Sequence, residues 1–328
     1  MKYKALGIDL GNGFIKIVSQ DKTLVEQAVF SYMPKADYSL KEVVSYNING
    51  SNILLGQQAI DSKLELLSAV GNVDAISRYN SIDYFNLMYA FIYKFANTTE
   101  DITIDNLVIG LPNNHFKQCS VELKKMFENK KVIINDTVIH IKKVEVLPQP
   151  LGTYLVEELP GKEVLLIDLG QGTVDYTKVS PDGIIVDMFS TEDGVKKLHL
   201  DLLKYLADLD ASSDLKLEDI PKIIQNGFSS LKGLKKEINE LTVNELKTEN
   251  AKRLLSPAIQ RYNYLNNFDE IIIFGGGAEV YKEQIKDLSK ELDNIRVVED
   301  DAQLSNAKGF FIFANNLADQ SVTLVENE

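Results

Sequence analysis

Two acid-led glycine turns stand out in this chain of 328 residues. Ile8-Asp9-Leu10-Gly11-Asn12-Gly13 returns as Ile167-Asp168-Leu169-Gly170-Gln171-Gly172, about half a chain later. Each copy ends an apolar run of strand formers, Tyr3 to Asp9 and Val164 to Asp168. Each leads into a second run, Phe14 to Ser19 and Thr173 to Val179, so each reads as a β-hairpin closed by a glycine turn. Glycine lacks a Cβ, so a Gly-x-Gly turn lets backbone N–H groups approach an anion closely. Gly11, Asn12 and Gly13 form one candidate phosphate turn; Gly170, Gln171, Gly172 and Thr173 form the other. One such turn is a weak signal, because any tight hairpin can contain glycine. Two with the same lead-in are specific. Asp9 and Asp168 both end strands that read as buried, where an uncompensated carboxylate is costly. A hydrated magnesium ion bridging phosphates and one or two carboxylates satisfies both. Strand-end capping explains either acid alone but not the repetition.

A third glycine cluster, Gly275-Gly276-Gly277, sits between a buried run, Glu270 to Phe274, and a helical pattern. Such a turn can pass beneath a sugar or phosphate and offer a helix N-terminus to negative charge. The G-x-G-x-x-G spacing of dinucleotide folds and the G-x-x-x-x-G-K-[ST] loop are both missing. His115, His140 and His199 lack ligand-like spacing. Cys119 stands alone, so it makes neither an internal disulfide nor a thiolate metal cluster, and it reads as a small buried hydrophobe.

The elements that position these turns follow from periodicity. Thr23 to Phe30 reads as a third strand, Pro34 to Ser51 as polar and irregular, and Ala59 to Leu67 as helical. Ile82 to Phe95 carries apolar residues at helical spacing. Leu107 to Leu111 is a short strand stopped by Pro112, and Phe116 to Glu128 an amphipathic helix. Val132 to Ile134 and Val138 to Lys142 flank Asn135-Asp136-Thr137 as a hairpin. Val144 to Leu147 is a strand broken at Pro148-Gln149-Pro150, and a helix restarts at Leu151. After Phe189 the chain reads as mostly helical: Val195 to Ala207, Leu217 to Phe228, Leu231 to Leu241 and Val243 to Tyr264. Ile295 to Val298 is a last strand and Ala302 to Asn316 a terminal helix with frayed residues after it.

A chain of this length with 45% hydrophobic residues holds more than one core usually needs, which suggests two lobes. No apolar run reaches a membrane span, no amphipathic membrane tail is visible, and the first residues are too short and polar for a secretory signal. With its cysteine usage, this fits an expected location in a reducing cytoplasm. The formal charge of −13 argues against direct DNA binding by a whole face, while leaving room for a basic adaptor protein.

Phosphate hairpin, strand-break connector, second phosphate hairpin and late triple glycine come in the order found in the superfamily of actin, sugar kinases and DnaK-type chaperones. The stretch Gly7-Ile8-Asp9-Leu10-Gly11-Asn12-Gly13-Phe14-Ile15-Lys16 resembles the ParM and StbA plasmid-segregation actins in particular. The resemblance spans nearly the whole chain. It implies an α/β, actin-like (ribonuclease H-like) duplicated two-lobe ATPase fold with a nucleotide cleft between the lobes. Lobe I would comprise residues 1–150 and 305–328, with a small outer subdomain at about 34–97, and lobe II residues 151–304. The resemblance places magnesium on Asp9 and Asp168, a phosphate contact on Lys16, and water orientation on Asp168. Gln149 stands in the connector, where many ParM proteins have a glutamate. It can orient a water but cannot take its proton, which implies a positional catalytic role. Tyr281 falls where actin places a tyrosine against adenine, and Lys236-Glu237 resembles a helical pair that contacts ribose and base. Gln171 departs from the acid of eukaryotic actin in the second turn.

The expected function is ATP- and magnesium-dependent assembly into head-to-tail filaments that segregate a plasmid or similar replicon, with ADP left after hydrolysis and a DNA-binding adaptor as partner. The alternatives are a small-molecule (sugar-type) kinase and a scaffold actin. A chaperone lacks room for its peptide-binding domain.

Overall fold

Strands that are apolar on both faces take the middle of a sheet, because neither face can be left to water. The segments that follow Met1 and Asp101 are of this kind. The computed structural model describes residues 1–34, 44–68, 75–157, 159, 161–210, 214–226, 238–290 and 292–325. The chain divides into two compact units, Met1–Pro160 with Asp187–Phe189 and Gln303–Glu328, and Gly161–Val186 with Ser190–Ala302.

Unit 1 opens with β1 (Lys2–Leu10), β2 (Phe14–Val18), β3 (Thr23–Gln27), β4 (Phe30–Tyr32), β5 (Tyr46–Ile48) and β6 (Ser51–Leu55). Helices α1 (Gly56–Asp61), α2 (Ala75–Tyr79) and α3 (Ile82–Ala96) follow, then β7 (Ile102–Leu111), α4 (Asn113–Phe127), β8 (Lys130–Ile134), β9 (Thr137–Pro148) and α5 (Pro150–Val156). Its sheet runs in the order β3-β2-β1-β7-β9-β8-β5-β6-β4. β1 is antiparallel to β2 and parallel to β7, and β7 is parallel to β9.

Unit 2 contains β10 (Val164–Leu169), β11 (Val174–Val179), β12 (Ile185–Thr191, apart from Asp187–Phe189, which cluster with unit 1), α6 (Lys196–Leu209), α7 (Ile220–Asn226), α8 (Glu240–Tyr262), β13 (Glu270–Phe274), α9 (Gly276–Leu288) and β14 (Ile295–Val297). Its sheet runs β12-β11-β10-β13-β14, with β10 antiparallel to β11 and parallel to β13. The order β3-β2-β1-β7-β9 of unit 1 is thus repeated, strand for strand. The last helix, α10 (Ser305–Val325), belongs to unit 1.

Alternation along β1 and β7 builds two cores. Leu6, Ile8 and Leu10, with Leu107, Ile109 and Leu111, join the main core, where α3 contributes Leu87, Met88, Phe91 and Phe95. Helix α3 is apolar nearly all round, as a buried helix must be. It starts at Ser81, whose side chain accepts from Tyr84 N, and ends at Asn97 in the left-handed conformation. The opposite face of β1 and β7 presents Ala5 and Val108 to Phe310 and Ala314 of α10. That helix comes very close. A Cβ on Gly7 would overlap the backbone of Ala307 and Phe311, and one on Gly309 would overlap the carbonyl of Gly152.

Several expectations are corrected. Pro34 to Ser51 is not wholly irregular: its described part includes β5, and β6 begins at its end. These short strands pair with each other, and β5 pairs with β8 at Ile48↔Ile134, so distant pairing rather than local pattern creates them. The helix expected over Ala59 to Leu67 is α1, ending at Asp61, and Leu67 instead bridges to Phe30. Val138 to Leu147 is one continuous strand, held along its length by β7. Most of the helix expected at Leu231 to Leu241 lies outside the described residues. α10 continues past Asn316 to Val325. Cys119 is buried in the main core. Among the described residues no helix is long and apolar enough to cross a membrane.

The contact between α10 and α5 predicts an overpacking cost. Gly309→Ala should lower unfolding stability by about 1–3 kcal/mol or more, read as a drop in the urea midpoint at unchanged slope. A variant as stable as the parent would show that α10 does not hold this position in solution.

Candidate functional site

The first hairpin is closed by Gly11 N donating to Phe14 O at 3.0 Å, and the second by Gly170 N donating to Thr173 O at 2.9 Å. The two turns therefore share one geometry as well as one sequence pattern.

In unit 1, Asp9 lies at the end of β1 with 3% exposure. Its register partner across the hairpin is Lys16, so both side chains project from the same face. Lys16 Nζ donates to Asp9 Oδ2 at 2.9 Å. Gln149, 6% exposed, donates from Nε2 to Asp9 Oδ1 at 2.6 Å. The break at Pro148 delivers it: β9 ends there, Gln149 N donates to Leu111 O at 2.8 Å, and Pro150 begins α5. Gly110, level with Asp9 on β7, leaves room, since a Cβ there would approach Gln149 Cγ to 3.2 Å. Because a carboxylate only accepts, the amide nitrogen of Gln149 faces Asp9 and its Oε1 is left to accept elsewhere. Lys16 Nζ sits close to the turn: a Cβ on Gly11 would be 3.3 Å from it.

Arg78 of α2, which sequence reasoning missed, also reaches this turn, donating from Nη1 to Asn12 Oδ1 at 3.1 Å. It is separated from Asn12 by 66 positions, so no local pattern could have indicated it.

In unit 2, Asp168 is 7% exposed and its register partner on β11 is a second acid, Asp175. Asp175 stands where Lys16 stands in the first hairpin, seven residues after the leading acid in each, and carrying the repeat three residues past Gly172 would have found it. It accepts from Ser190 Oγ at 2.6 Å and from Thr173 Oγ1 at 3.2 Å. The carbonyls of this turn are occupied: Val195 N donates to Gly170 O at 3.1 Å and Lys196 N to Gln171 O at 2.9 Å. With its acceptors turned toward the start of α6 and Gly170 N–H closing the hairpin, the turn has the N–H groups of Gln171, Gly172 and Thr173 to offer an anion.

Gly275 joins the same cluster. Its φ is +88°, in the left-handed region that favours glycine, and a Cβ there would overlap the carboxylate of Asp168. Gly277 packs on the backbone of Leu169 and on Val195. Gly276 is the first residue of α9. Unit 2 thus brings Asp168, the second turn and the triple glycine together.

Tyr281 is placed differently from the sequence expectation. It lies on α9 with 0% exposure, its ring in the core, and burial raises its pKa. Its Oη has no hydrogen-bond partner among the described residues. Lys236 and Glu237 lie outside the described residues.

Among the described residues no group of three or more His, Cys, Asp or Glu side chains gathers as a metal cage. One or two carboxylates beside a phosphate turn suit magnesium, which keeps several waters and rarely takes an all-protein cage. Asp9 and Asp168 fit that role. A cavity of about 850 Å³ in unit 1, lined by residues including Glu26, Tyr46, Tyr93 and Asn135, contains none of the predicted site residues.

Next to the first turn, Tyr79 Oη lies 2.9 Å from His115 Nδ1. Burial, and then the nearby Arg78 guanidinium, lowers the His115 pKa to about 4; burial also lowers that of His199. In the unfolded chain a histidine gains its proton near pH ~6.5. Between that pH and about 4 the unfolded chain binds more protons, so the stabilisation is complete above the window and lost as pH falls through it. Melting temperature should therefore fall on acidification from pH about 7 to about 4.5, and less steeply in His115→Gln. Equal slopes in parent and variant would contradict this assignment.

Residues 7–152 match the family described as actin-like proteins, N-terminal domain. No curated protein matches the chain significantly. Among solved structures, the archaeal actin homolog Ta0583 in complex with ADP is 18% identical, with 95% of this chain and 99% of that chain covered and a TM-score of 0.76. ParM in a 15-stranded filament from Clostridium botulinum is 20% identical, with 96% and 100% covered and a TM-score of 0.71. The actin-like protein Alp7A is 15% identical, with 100% of both chains covered and a TM-score of 0.75. At these identities the likeness is one of fold. Residues 7–152 thus match the N-terminal domain of the actin-like proteins, and the chain as a whole has the actin-like fold.

Proposed function

We propose that this protein is an ATPase that binds ATP with magnesium at its glycine hairpins and assembles head to tail into filaments that segregate a plasmid or similar replicon. The observation that carries the reading is the convergence of Asp9, Lys16 and Gln149 on the first glycine turn, with an acid-led copy of that turn in unit 2. The named likenesses support it: one neighbour was solved with ADP and another as a filament.

Each residue has a part that its surroundings suit. With Gly11 N–H and Gly170 N–H closing the hairpins, the N–H groups of Asn12 and Gly13 and of Gln171, Gly172 and Thr173 donate to phosphate oxygens. Lys16 moves its ammonium from Asp9 to a phosphate, a short exchange for a side chain already beside Gly11. Asp9, once released from Lys16, and Asp168 are the residues that would hold the metal. Magnesium supplies charge neutralisation and orientation at the phosphates. Gln149 keeps its amide nitrogen on Asp9 and accepts a hydrogen bond from the attacking water through Oε1. It sets direction without removing the proton, a positional contribution of the kind that dominates phosphoryl transfer. The glycines at 275–277 let the start of α9 approach the sugar or a phosphate.

Head-to-tail addition joins unlike surfaces and does not close, so growth is open-ended. ATP can drive assembly only by binding the assembling state more tightly. A subunit of charge −13 repels its copies and repels DNA, so added salt should ease assembly and a basic adaptor should make the DNA contact.

Two measurements test this reading. In sedimentation at tens of micromolar, the protein should pellet with ATP and magnesium and stay in the supernatant without nucleotide. A supernatant that is unchanged by ATP at several salt concentrations would overturn the filament reading and favour the kinase. Gln149→Ala should bind nucleotide like the parent but release phosphate roughly 10- to 100-fold more slowly, and its filaments should persist longer. Equal phosphate release in the two proteins would remove Gln149 from the chemistry.

A further inference from the structure

Arg78 is a guanidinium withdrawn from water with no anion among the described residues to meet it. It is 4% exposed, and among the described residues it makes no ion pair. Its Nη1 donates to the neutral Asn12 Oδ1, its Cζ stacks 4.9 Å from the centroid of the Tyr79 ring, and its Nε has no partner. It acts on the ionisation of Tyr84 and His115. A tyrosine buried this deeply stays neutral, and His115 can only add positive charge. Asp9 lies within electrostatic range of the same cluster, since it too acts on Tyr84. But Asp9 is taken: Lys16 holds one oxygen and Gln149 the other.

A permanently charged group is not left in such surroundings without cost, because an arginine cannot shed its proton as a buried lysine can. The deficit is local. It lies against Asn12, the middle residue of the turn Gly11-Asn12-Gly13, and it is a deficit of one negative charge with several oxygen acceptors. A phosphate group has that composition, and the planar guanidinium fork suits it better than an ammonium would.

We propose that Arg78 is an anion receptor for a phosphate group bound at the first glycine turn, and that it is a specificity-determining residue for the polyphosphate of the nucleotide. The proposal rests on the nucleotide reading above and deepens it. Lys16 approaches the turn from the strand side of the hairpin. Arg78 approaches from α2 through the side chain of Asn12, so phosphate binding joins α2 to β1 and β2. Before the phosphate arrives, Asn12 serves as a weak placeholder that accepts one of the five guanidinium N–H groups.

The proposal differs from a packing role in what it predicts for the protein without nucleotide. A packing or ion-pair arginine stabilises the free protein, whereas a receptor charge without its anion does not. The test is nucleotide binding by titration calorimetry, with melting temperatures alongside, for the parent, Arg78→Met and Arg78→Lys. Each is measured with ATP–magnesium, ADP–magnesium and adenosine. Arg78→Met should bind ATP at least about tenfold more weakly than the parent, bind adenosine as the parent does, and melt no lower than the parent when free. Arg78→Lys should recover part of the ATP affinity. If Arg78→Met binds ATP as tightly as the parent, the receptor role is wrong. A loss shared equally by ATP and adenosine, or a marked fall in the melting temperature of the free protein, would make Arg78 a packing residue and equally overturn it. A parent that binds adenosine, ADP and ATP no better than buffer would instead sink the nucleotide reading itself, and this proposal with it.

Discussion

The carboxylate of Asp9 has been taken out of water at the end of a buried strand, and much of unit 1 is arranged around it. Its burial follows from the position of β1 in the sheet, between β2 and β7, with α10 laid across one face. Such a charge needs compensation. The hairpin supplies Lys16 across one register pair, and the broken end of β9 supplies Gln149. Both partners are short-range consequences of topology: Lys16 by strand reversal, Gln149 by the parallel run of β7 and β9 that ends level with the turn. The glycines at 7 and 110 are required by the same arrangement, since a side chain at either would displace α10. Holding Asp9 and shaping the glycine turn beside it are therefore one structural problem with one solution.

Unit 2 solves the same problem with different residues. The five strands keep their order, and the turn keeps its closing hydrogen bond, but Asp175 replaces the lysine partner. Two acids face each other across β10 and β11, with Asp175 satisfied by the hydroxyls of Ser190 and Thr173. Gly275 then packs its backbone directly on Asp168, which a residue with a Cβ could not do. The first hairpin thus carries one acid and one base, the second carries two acids, and the duplicated scaffold offers different charge at equivalent places.

What was legible in the sequence was what repeats or what is local. The two hairpins could be read from Ile-Asp-Leu-Gly, and Gln149 from the proline break around it. Their partners were less accessible. Asp175 was within reach by carrying the register of Lys16 into the second copy. Arg78 was not, because α2 comes to Asn12 only through the packing of unit 1. Tyr281 could be aligned by its distance from the triple glycine, but burial of a helix face depends on what packs against it, and here the ring is enclosed. The short strands β5 and β6 were hidden for a related reason: a few residues with polar neighbours become strand only when β8 and β4 are there to pair with them.

The central claim is that the cluster of Asp9, Lys16 and Gln149 is a phosphate and metal site awaiting its ligand. A crystal structure with magnesium and a non-hydrolysable ATP analogue tests it most directly. The account predicts phosphate density over Gly11-Asn12-Gly13, Lys16 Nζ moved from Asp9 to a phosphate oxygen, and Asp9 directed at the metal or one of its waters. Nucleotide density away from the first hairpin, with the Asp9–Lys16 pair unbroken, would contradict it.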